Sequence, residues 1–162
     1  ALGVPSYNFL AWASVVYAPE RRALTAETIA SLIDRGNWDA HLFARELGYL
    51  LEHGWFGANR LVQTLNDAAS LSPLAGWSVF QTVRRILPLA PQVGQGASLV
   101  KLAVELAELY GTPVEIPAVL EPKMKGSTVL AKSLRALAAV PARETEEALA
   151  AREAALALLG ES

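Results

Sequence analysis

The chain has 162 residues, the length of one ordinary domain, and 52% of them are hydrophobic while 19% are charged. Its net charge of −2, from 14 basic and 16 acidic residues, argues against a domain that binds nucleic acid through a strongly basic surface. Because cysteine is absent, disulfides, thiolate catalysis, zinc fingers and iron–sulfur sites are excluded together.

Hydrophobic residues recur at helical spacing along the chain, and this predicts an all-α fold of about seven or eight helices. Pro19 ends the first helix, Thr25 is a good N-cap for the second, and Gly36 ends that second helix. The Ser72–Pro73 pair, a cap followed by proline, begins the fifth helix. The predicted helices lie near residues 6–17, 25–35, 38–53, 58–69, 73–87, 98–110, 127–140 and 143–159.

The sixth predicted helix, from Ser98 to Tyr110, is apolar over most of its circumference. Its charged residues, Lys101, Glu105 and Glu108, fall on one narrow stripe because they are spaced four and three residues apart. A helix of this kind is buried on two or more sides. We therefore expect it in the middle of the fold, flanked by other helices.

The last third of the chain contains a long connection and two helices. Residues 111–126 include three prolines, and one helical turn is expected to start at Pro117. Ser127 is the predicted N-cap of the seventh helix. Residues 142–162 form an alanine-rich terminal helix. On this last helix, three leucines are roughly aligned: Leu149, Leu156 and Leu159.

The helices can be arranged as antiparallel pairs, the second with the third, the fourth with the fifth, and the sixth with the seventh. Trp38 and Trp77 lie early in the second helix of the first two pairs and are 39 residues apart, close to the period of HEAT-type repeats. A stack of pairs, or α-solenoid, would also bury the sixth helix between neighbours. An irregular bundle with tryptophan as filler is the alternative. We treat residues 1–162 as one domain and, since the chain begins with Ala1, as part of a larger protein.

Several short motifs occur between Arg60 and Leu137. A helix with the run LNDA at 65–68 precedes a helix that carries Trp77, and the run KGS at 125–127 leads into an amphipathic helix. In these motifs the chain resembles the C-terminal region of large, uncharacterised helical proteins of actinobacteria. The resemblance implies a HEAT-like helical fold within a multidomain protein, and it implies no catalytic residue.

The titratable residues form no recognisable catalytic or metal-binding set. His41 and His53 lie ~18 Å apart along the axis of the third helix, so they cannot share a metal ion. Neighbouring glutamates such as Glu105 and Glu108 lie on one solvated face, whereas glycosidase-type catalysis needs two carboxylates across a cleft. No nucleophile motif is present. The sequence therefore predicts a protein that is not an enzyme and has no cofactor.

Basic residues form the clearest candidate for a ligand-binding patch. Lys123, Lys125, Lys132 and Arg135 surround the expected N-terminus of the seventh helix, where exposed N–H groups favour anions. They predict contact with a phosphate, a nucleic acid or an acidic partner, although an ordinary solvated face is the alternative.

Two smaller groups are also candidates for contacts with a partner. Arg84 and Arg85 form a second basic pair on the fifth helix. Trp55 and Phe56 directly follow Gly54 in a turn, and they would form a protein-binding hot spot if they were exposed.

These features favour a non-catalytic interaction module that binds another protein or a neighbouring domain of the same protein. The alternative function is binding of nucleic acid or a phosphate ligand through the basic residues at 123–135, with nucleic acid disfavoured by the net charge. Self-association through the alanine-rich helix is a further alternative. No stretch approaches the roughly 18 apolar residues of a membrane span, so we expect no membrane partner and a cytoplasmic location.

Overall fold

The computed structural model describes residues 22–54 and 57–160, so the predicted helix at 6–17 and the Trp55–Phe56 pair lie outside the described residues. The described part is helical and contains no β-strand, which confirms the predicted all-α class. None of its helices combines the length and apolar content of a membrane span. Two 3-10 segments, Leu87–Leu89 and Ala118–Met124, join longer helices. The α-helices are α1 (Arg22–Asp34), α2 (Ala40–Glu52), α3 (Ala58–Ala69), α4 (Pro73–Ile86), α5 (Ala97–Tyr110), α6 (Val129–Ala138) and α7 (Glu146–Gly160).

Side-chain caps determine where α4 and α6 begin. The Ser72 hydroxyl accepts a hydrogen bond from the backbone N–H three residues further on, at 3.0 Å, and Pro73 follows it as predicted. At α6 the predicted cap Ser127 is wrong by one residue, because the hydroxyl of Thr128 makes the equivalent bond, also at 3.0 Å. Adjacent serine and threonine are equally suited to this role, so composition alone does not separate them.

Thr25 is not an N-cap, because α1 begins three residues earlier, at Arg22. Thr25 is 1% exposed and lies one turn before Ile29, which is also buried. The prediction failed because a threonine can bury its methyl group inside a helix as well as cap one. Its position on the buried face of α1 depends on packing that the local sequence does not encode.

α4 is the centre of the bundle and packs against α1, α2, α3, α5 and α7. Thr82 lies on the side of α4 that the hydrophobic pattern leaves polar, yet it is fully buried because α2 covers it. The indole N–H of Trp38 donates to the Thr82 hydroxyl at 3.1 Å, and that hydroxyl donates to the Ser78 carbonyl at 2.9 Å. The polar side of α4 is therefore an internal surface satisfied by hydrogen bonds.

α5 is packed on several sides, as its sequence predicts. It contacts α3, α4, α6 and α7, and its buried residues cover most of its surface. The prediction that it is flanked by other helices is therefore confirmed. The most central helix is nevertheless α4, which has one more helical neighbour.

Two of the three predicted helix pairs are present, and the first is not. α3 packs against α4 and α5 against α6, whereas α1 and α2 form no substantial contact. α1 packs instead against α3 and α4, and α2 packs against α4. Trp38 stacks on Phe43 with 3.7 Å between ring centroids and is hydrogen-bonded to α4, so it fixes the start of α2 there. The described helices form an irregular bundle at this end.

α7 packs against α4 and α5 through alanine side chains. Ala151 is buried, and Ala148 and Ala155 lie on the same face beside Trp77. A cavity of about 280 Å³ is lined by these alanines and the indole ring. The predicted leucines are exposed, with exposed fractions of 40%, 61% and 71% for Leu149, Leu156 and Leu159.

Three aromatic rings from α4 and α5 form a cluster in the core. Trp77 lies edge-on to Phe80 and Tyr110, with centroid distances of 5.8 and 5.4 Å. The Tyr110 hydroxyl donates to the Pro73 carbonyl at 3.3 Å. Burial, and then the neighbouring carboxylate of Glu147, raise the pKa of Tyr110 from 10.0 to about 12.

The connection between α5 and α6 folds back onto the bundle. It begins at Gly111, which has a φ of +61°, and the Thr112 N–H donates to the Ala107 carbonyl at 3.0 Å. The expected turn after Pro117 is present as the 3-10 segment, and Leu120 within it is fully buried. These contacts place the first part of the connection alongside the end of α4.

Candidate functional site

A cleft of about 630 Å³ lies between the first turn of α2, the end of α4 and the connection after α5. Its polar lining consists of His41 from α2, of Gln81, Arg84 and Arg85 from α4, and of Glu115. Both arginines are in the last turn of α4, where positive charge interacts favourably with the helix dipole. We call this feature the cationic cleft, because its basic side chains outnumber its single carboxylate.

Arg84 is held in place by side chains of its own helix. Its guanidinium carbon lies 5.4 Å from the ring centroid of the buried Phe80, and its Nη1 donates to Oε1 of Gln81 at 3.3 Å. Neither Arg84 nor Arg85 forms an ion pair with a carboxylate in the part of the chain that the structure describes. Most of their N–H donors are therefore available to a ligand. Arginine presents these donors in a planar fork that fits a carboxylate or a phosphate.

The opposite wall of the cationic cleft comes from the connection and is apolar apart from Glu115. Residues 112–117 contain no helix, and Val114 within them is buried and anchors the segment to the core. Pro88, at the end of α4, and Ile116 add further apolar surface to the lining. The cleft therefore places arginine forks next to apolar surface. This combination suits an acidic group attached to an apolar body.

The comparisons with known proteins define the family of the chain. A protein-family model described as a domain of unknown function (DUF7825) matches residues 1–117. The chain belongs to the DUF7825 family. Searches of curated proteins and of solved structures find no match. Residues 60–117 of this match also belong to the segment that resembles helical proteins of actinobacteria. The HEAT-like fold and the actinobacterial relationship that this resemblance implies stay predictions.

The DUF7825 match contains almost all of the cationic cleft. Of the residues that line it, Ala118 alone lies beyond the matched region. The connection from Ala118 onward, α6 and α7 lie outside the match. The cleft is thus a feature of the matched unit, whereas the predicted basic patch is not.

The predicted basic patch lies beside α6. Lys123, Lys125 and Lys132 are exposed. Arg135 is different, because its Nη1 donates to the carbonyl oxygens of Met124 and Gly126 at 2.6 and 2.8 Å. Arg135 therefore ties the end of the 3-10 segment to α6. The structure brings the four residues to one region, and their role in binding an anion stays a prediction.

The two histidines lie at opposite ends of α2. His41 is exposed in the cationic cleft, whereas His53 follows the last turn, stacks on Tyr49 and has its Nδ1 2.8 Å from the Tyr49 carbonyl oxygen. Across residues 22–54 and 57–160, no group of three or more histidine, aspartate or glutamate side chains is arranged to hold a metal ion.

Sequence reasoning identified only part of the cationic cleft. It singled out Arg84 and Arg85 as a smaller basic pair, but it gave no role to His41 or Glu115 at this place. These residues are far apart in the sequence, and the fold of the connection brings Glu115 to α4. The signal that was available is the pair of arginines next to Pro88, since a basic pair at a helix end is already positioned for an anion.

Proposed function

We propose that the chain is a non-catalytic interaction module that binds an acidic segment of another protein, or of a neighbouring domain, in the cationic cleft. One observation carries this proposal: Arg84 and Arg85 line the cationic cleft, and neither has a carboxylate partner among the residues that the structure describes. Arginines that are buried or paired with a carboxylate of the same chain would stabilise the fold instead of binding a ligand. Arginines held ready without a partner are typical of a binding site for a carboxylate.

The preorganised position of Arg84 supports binding rather than simple solvation. An arginine side chain loses conformational entropy when it is immobilised by a ligand, and this loss opposes binding. In the chain, the Phe80 ring and the Gln81 amide already restrict Arg84 before any ligand arrives. A carboxylate can therefore form a charge-assisted bond at a smaller entropic loss.

The lining of the cationic cleft suits an extended peptide. The cleft is open to solvent, and Ile116 and Pro88 line it together with the charged groups. A peptide with alternating acidic and apolar side chains would place carboxylates on the arginines and apolar groups on this wall. The lining offers one imidazole, His41, and one carboxylate, Glu115, with no serine or threonine beside them, which supports a non-catalytic role.

Fluorescence anisotropy with a labelled peptide that alternates glutamate and leucine tests this proposal. The matched probe has glutamine in place of every glutamate. The test variant is Arg84→Gln/Arg85→Gln, and the control variant is Lys123→Gln/Lys125→Gln, which removes the same charge from the predicted basic patch. Thermal unfolding of both variants shows whether each is folded.

The proposal predicts that the acidic peptide binds and the glutamine peptide does not. Loss of charge-assisted hydrogen bonds in the arginine variant should weaken binding by about tenfold or more, whereas the lysine variant should change it by less than about twofold. A loss confined to the lysine variant would instead support the alternative site at 123–135. Equal losses in both variants, or no binding at low ionic strength, would overturn the proposal.

A further inference from the structure

The solvent-facing side of α7 carries two parallel rows of side chains. Leu149 and Leu156 are seven residues apart and therefore lie on one stripe of the helix, with exposed fractions of 40% and 61%. Glu146 and Glu153, also seven residues apart, are exposed on one side of this stripe, and Arg152, which pairs with Glu144, is exposed on the other side. We call this the acidic leucine face. A seven-residue repeat of leucine flanked by charge is typical of a surface that packs against another protein segment.

A second surface, beside α6, has the opposite charge. Val119 lies in the 3-10 segment and is 58% exposed, and Val129 is the first residue of α6 and is 55% exposed. The 3-10 segment packs against α6. Lys123, Lys125 and Lys132 are exposed in the same region. On α6, the valine and Lys132 are three residues apart and share one side of the helix. We call this the basic valine surface.

We infer that the chain associates with itself, with the acidic leucine face of one copy docked on the basic valine surface of the next. Each surface offers exposed aliphatic groups, so contact removes apolar area from water on both sides. The net charges around them are opposite in sign, because Glu146 and Glu153 outnumber Arg152 on the first surface and the three lysines outnumber Glu121 on the second. Complementary charge of this kind promotes association and specifies the partner.

Pairing of like surfaces is disfavoured by the same charges. Two acidic leucine faces would bring the Glu146–Glu153 row of each copy next to the other, and two basic valine surfaces would bring lysines together. Like charges in contact oppose association. The head-to-tail arrangement avoids both conflicts. It is also independent of the cationic cleft, with which the two surfaces share no residue.

The two surfaces of a single copy do not cover each other. α6 packs against α5, and α7 packs against α4 and α5, without a substantial contact between α6 and α7. A contact between two different surfaces leaves one surface of each kind unoccupied at the ends of an assembly. Such heterologous contacts produce rings or open chains rather than closed dimers.

Sedimentation velocity of the full 162-residue chain at increasing protein concentration tests the inference. One variant, Glu146→Lys/Glu153→Lys, reverses the charge of the acidic leucine face. The other, Lys123→Glu/Lys132→Glu, reverses the basic valine surface. Each is measured alone and in an equimolar mixture with the other, at ~50 mM and ~500 mM salt.

The inference predicts that the unmodified chain associates at low salt and that its association constant falls about tenfold or more at high salt. Each variant alone should be monomeric, because its two surfaces have charge of the same sign. The mixture should associate again, since each variant supplies the charge that the other lacks, and this recovery also shows that both variants are folded. Three results would overturn the inference. The unmodified chain could be monomeric, the Lys123→Glu/Lys132→Glu variant could associate as strongly as the unmodified chain, or the mixture could stay monomeric.

Discussion

Gly76 on α4 lies directly against the hydroxyl group of Tyr110 on α5. A Cβ atom at position 76 would overlap this hydroxyl and would lie 2.9 Å from the carbonyl oxygen of Ala69. The tyrosine ring cannot move aside easily, because it is 3% exposed and packed against Trp77 and Phe80. The absence of a side chain at Gly76 therefore sets how closely α4 and α5 approach.

We expect Gly76→Ala to destabilise the fold, although alanine is the better helix former. Overpacking of a core typically reduces the free energy of unfolding by about 1–3 kcal/mol, and the gain in helix propensity offsets about 1 kcal/mol of this. Urea denaturation measures the change. The control is Gly76→Ala in a Tyr110→Phe background, where the hydroxyl is gone and the loss should be smaller. An equal loss in the free energy of unfolding in both backgrounds would show that the Tyr110 hydroxyl does not limit the side chain at position 76.

Ionisation of Tyr110 should also make the free energy of unfolding fall as the pH rises in the alkaline range. Its pKa is raised from 10.0 to about 12, so its contribution is complete below pH 10 and is lost as pH rises toward 12. The difference corresponds to roughly 3 kcal/mol in the free energy of unfolding. Denaturation at pH 9 and above pH 11 measures it. Tyr110→Phe, which cannot ionise, should lose less stability over this interval, and an identical loss would refute the assignment.

The hydrogen bond between Trp38 and Thr82 should contribute to the position of α2. Thr82→Val keeps the shape but removes the acceptor, which leaves the indole N–H of Trp38 without its partner in α4. We expect the free energy of unfolding to fall by about 1–2 kcal/mol. Chemical denaturation followed by fluorescence measures this. In a Trp38→Phe background, where no indole donor exists, Thr82→Val should have little further effect, and additive losses would argue against the bond.

Arg135 should stabilise the fold through its two hydrogen bonds and not only through its charge. Arg135→Lys keeps the charge but removes the guanidinium group, whose Nη1 donates to the Met124 and Gly126 carbonyls. Since Arg135 is exposed, we expect a loss of only about 1 kcal/mol in stability, with faster hydrogen exchange confined to residues 124–128. Lys132→Gln is the control and should leave both unchanged. Unchanged exchange in Arg135→Lys would show that the two bonds do not hold the segment.

The sequence predicts the helices well because the signals for a helix are local. The Ser72–Pro73 start of α4 and the apolar circumference of α5 both depend on neighbouring residues alone. Apart from the one-residue error at the cap of α6, the errors have a common physical cause, since each involves a contact between distant elements. Thr25 is buried because α1 packs on α3 and α4, and the first predicted pair is absent because Trp38 binds α4. On α7, alanine side chains and not the predicted leucines face Trp77 on α4.

The candidate site is less predictable than the fold for the same reason. The arginine pair is visible in the sequence, but the wall formed by Glu115 and Ile116 depends on how the connection returns to α4. The basic patch was visible as a cluster of charge. The three lysines are exposed, whereas Arg135 is hydrogen-bonded to two backbone carbonyls. To predict this difference one must know where those carbonyls lie, and no sequence pattern specifies their positions.

Chemical-shift mapping by NMR of the ¹⁵N-labelled chain, titrated with the glutamate–leucine peptide, tests the central claim most directly. If the cationic cleft binds acidic segments, the shifts should change at Gln81, Arg84 and Arg85 and along the connection from Val114 to Ala118. They should remain unchanged with the glutamine peptide. Changes confined to residues 119–135, or no saturable change at all, would contradict the proposed function.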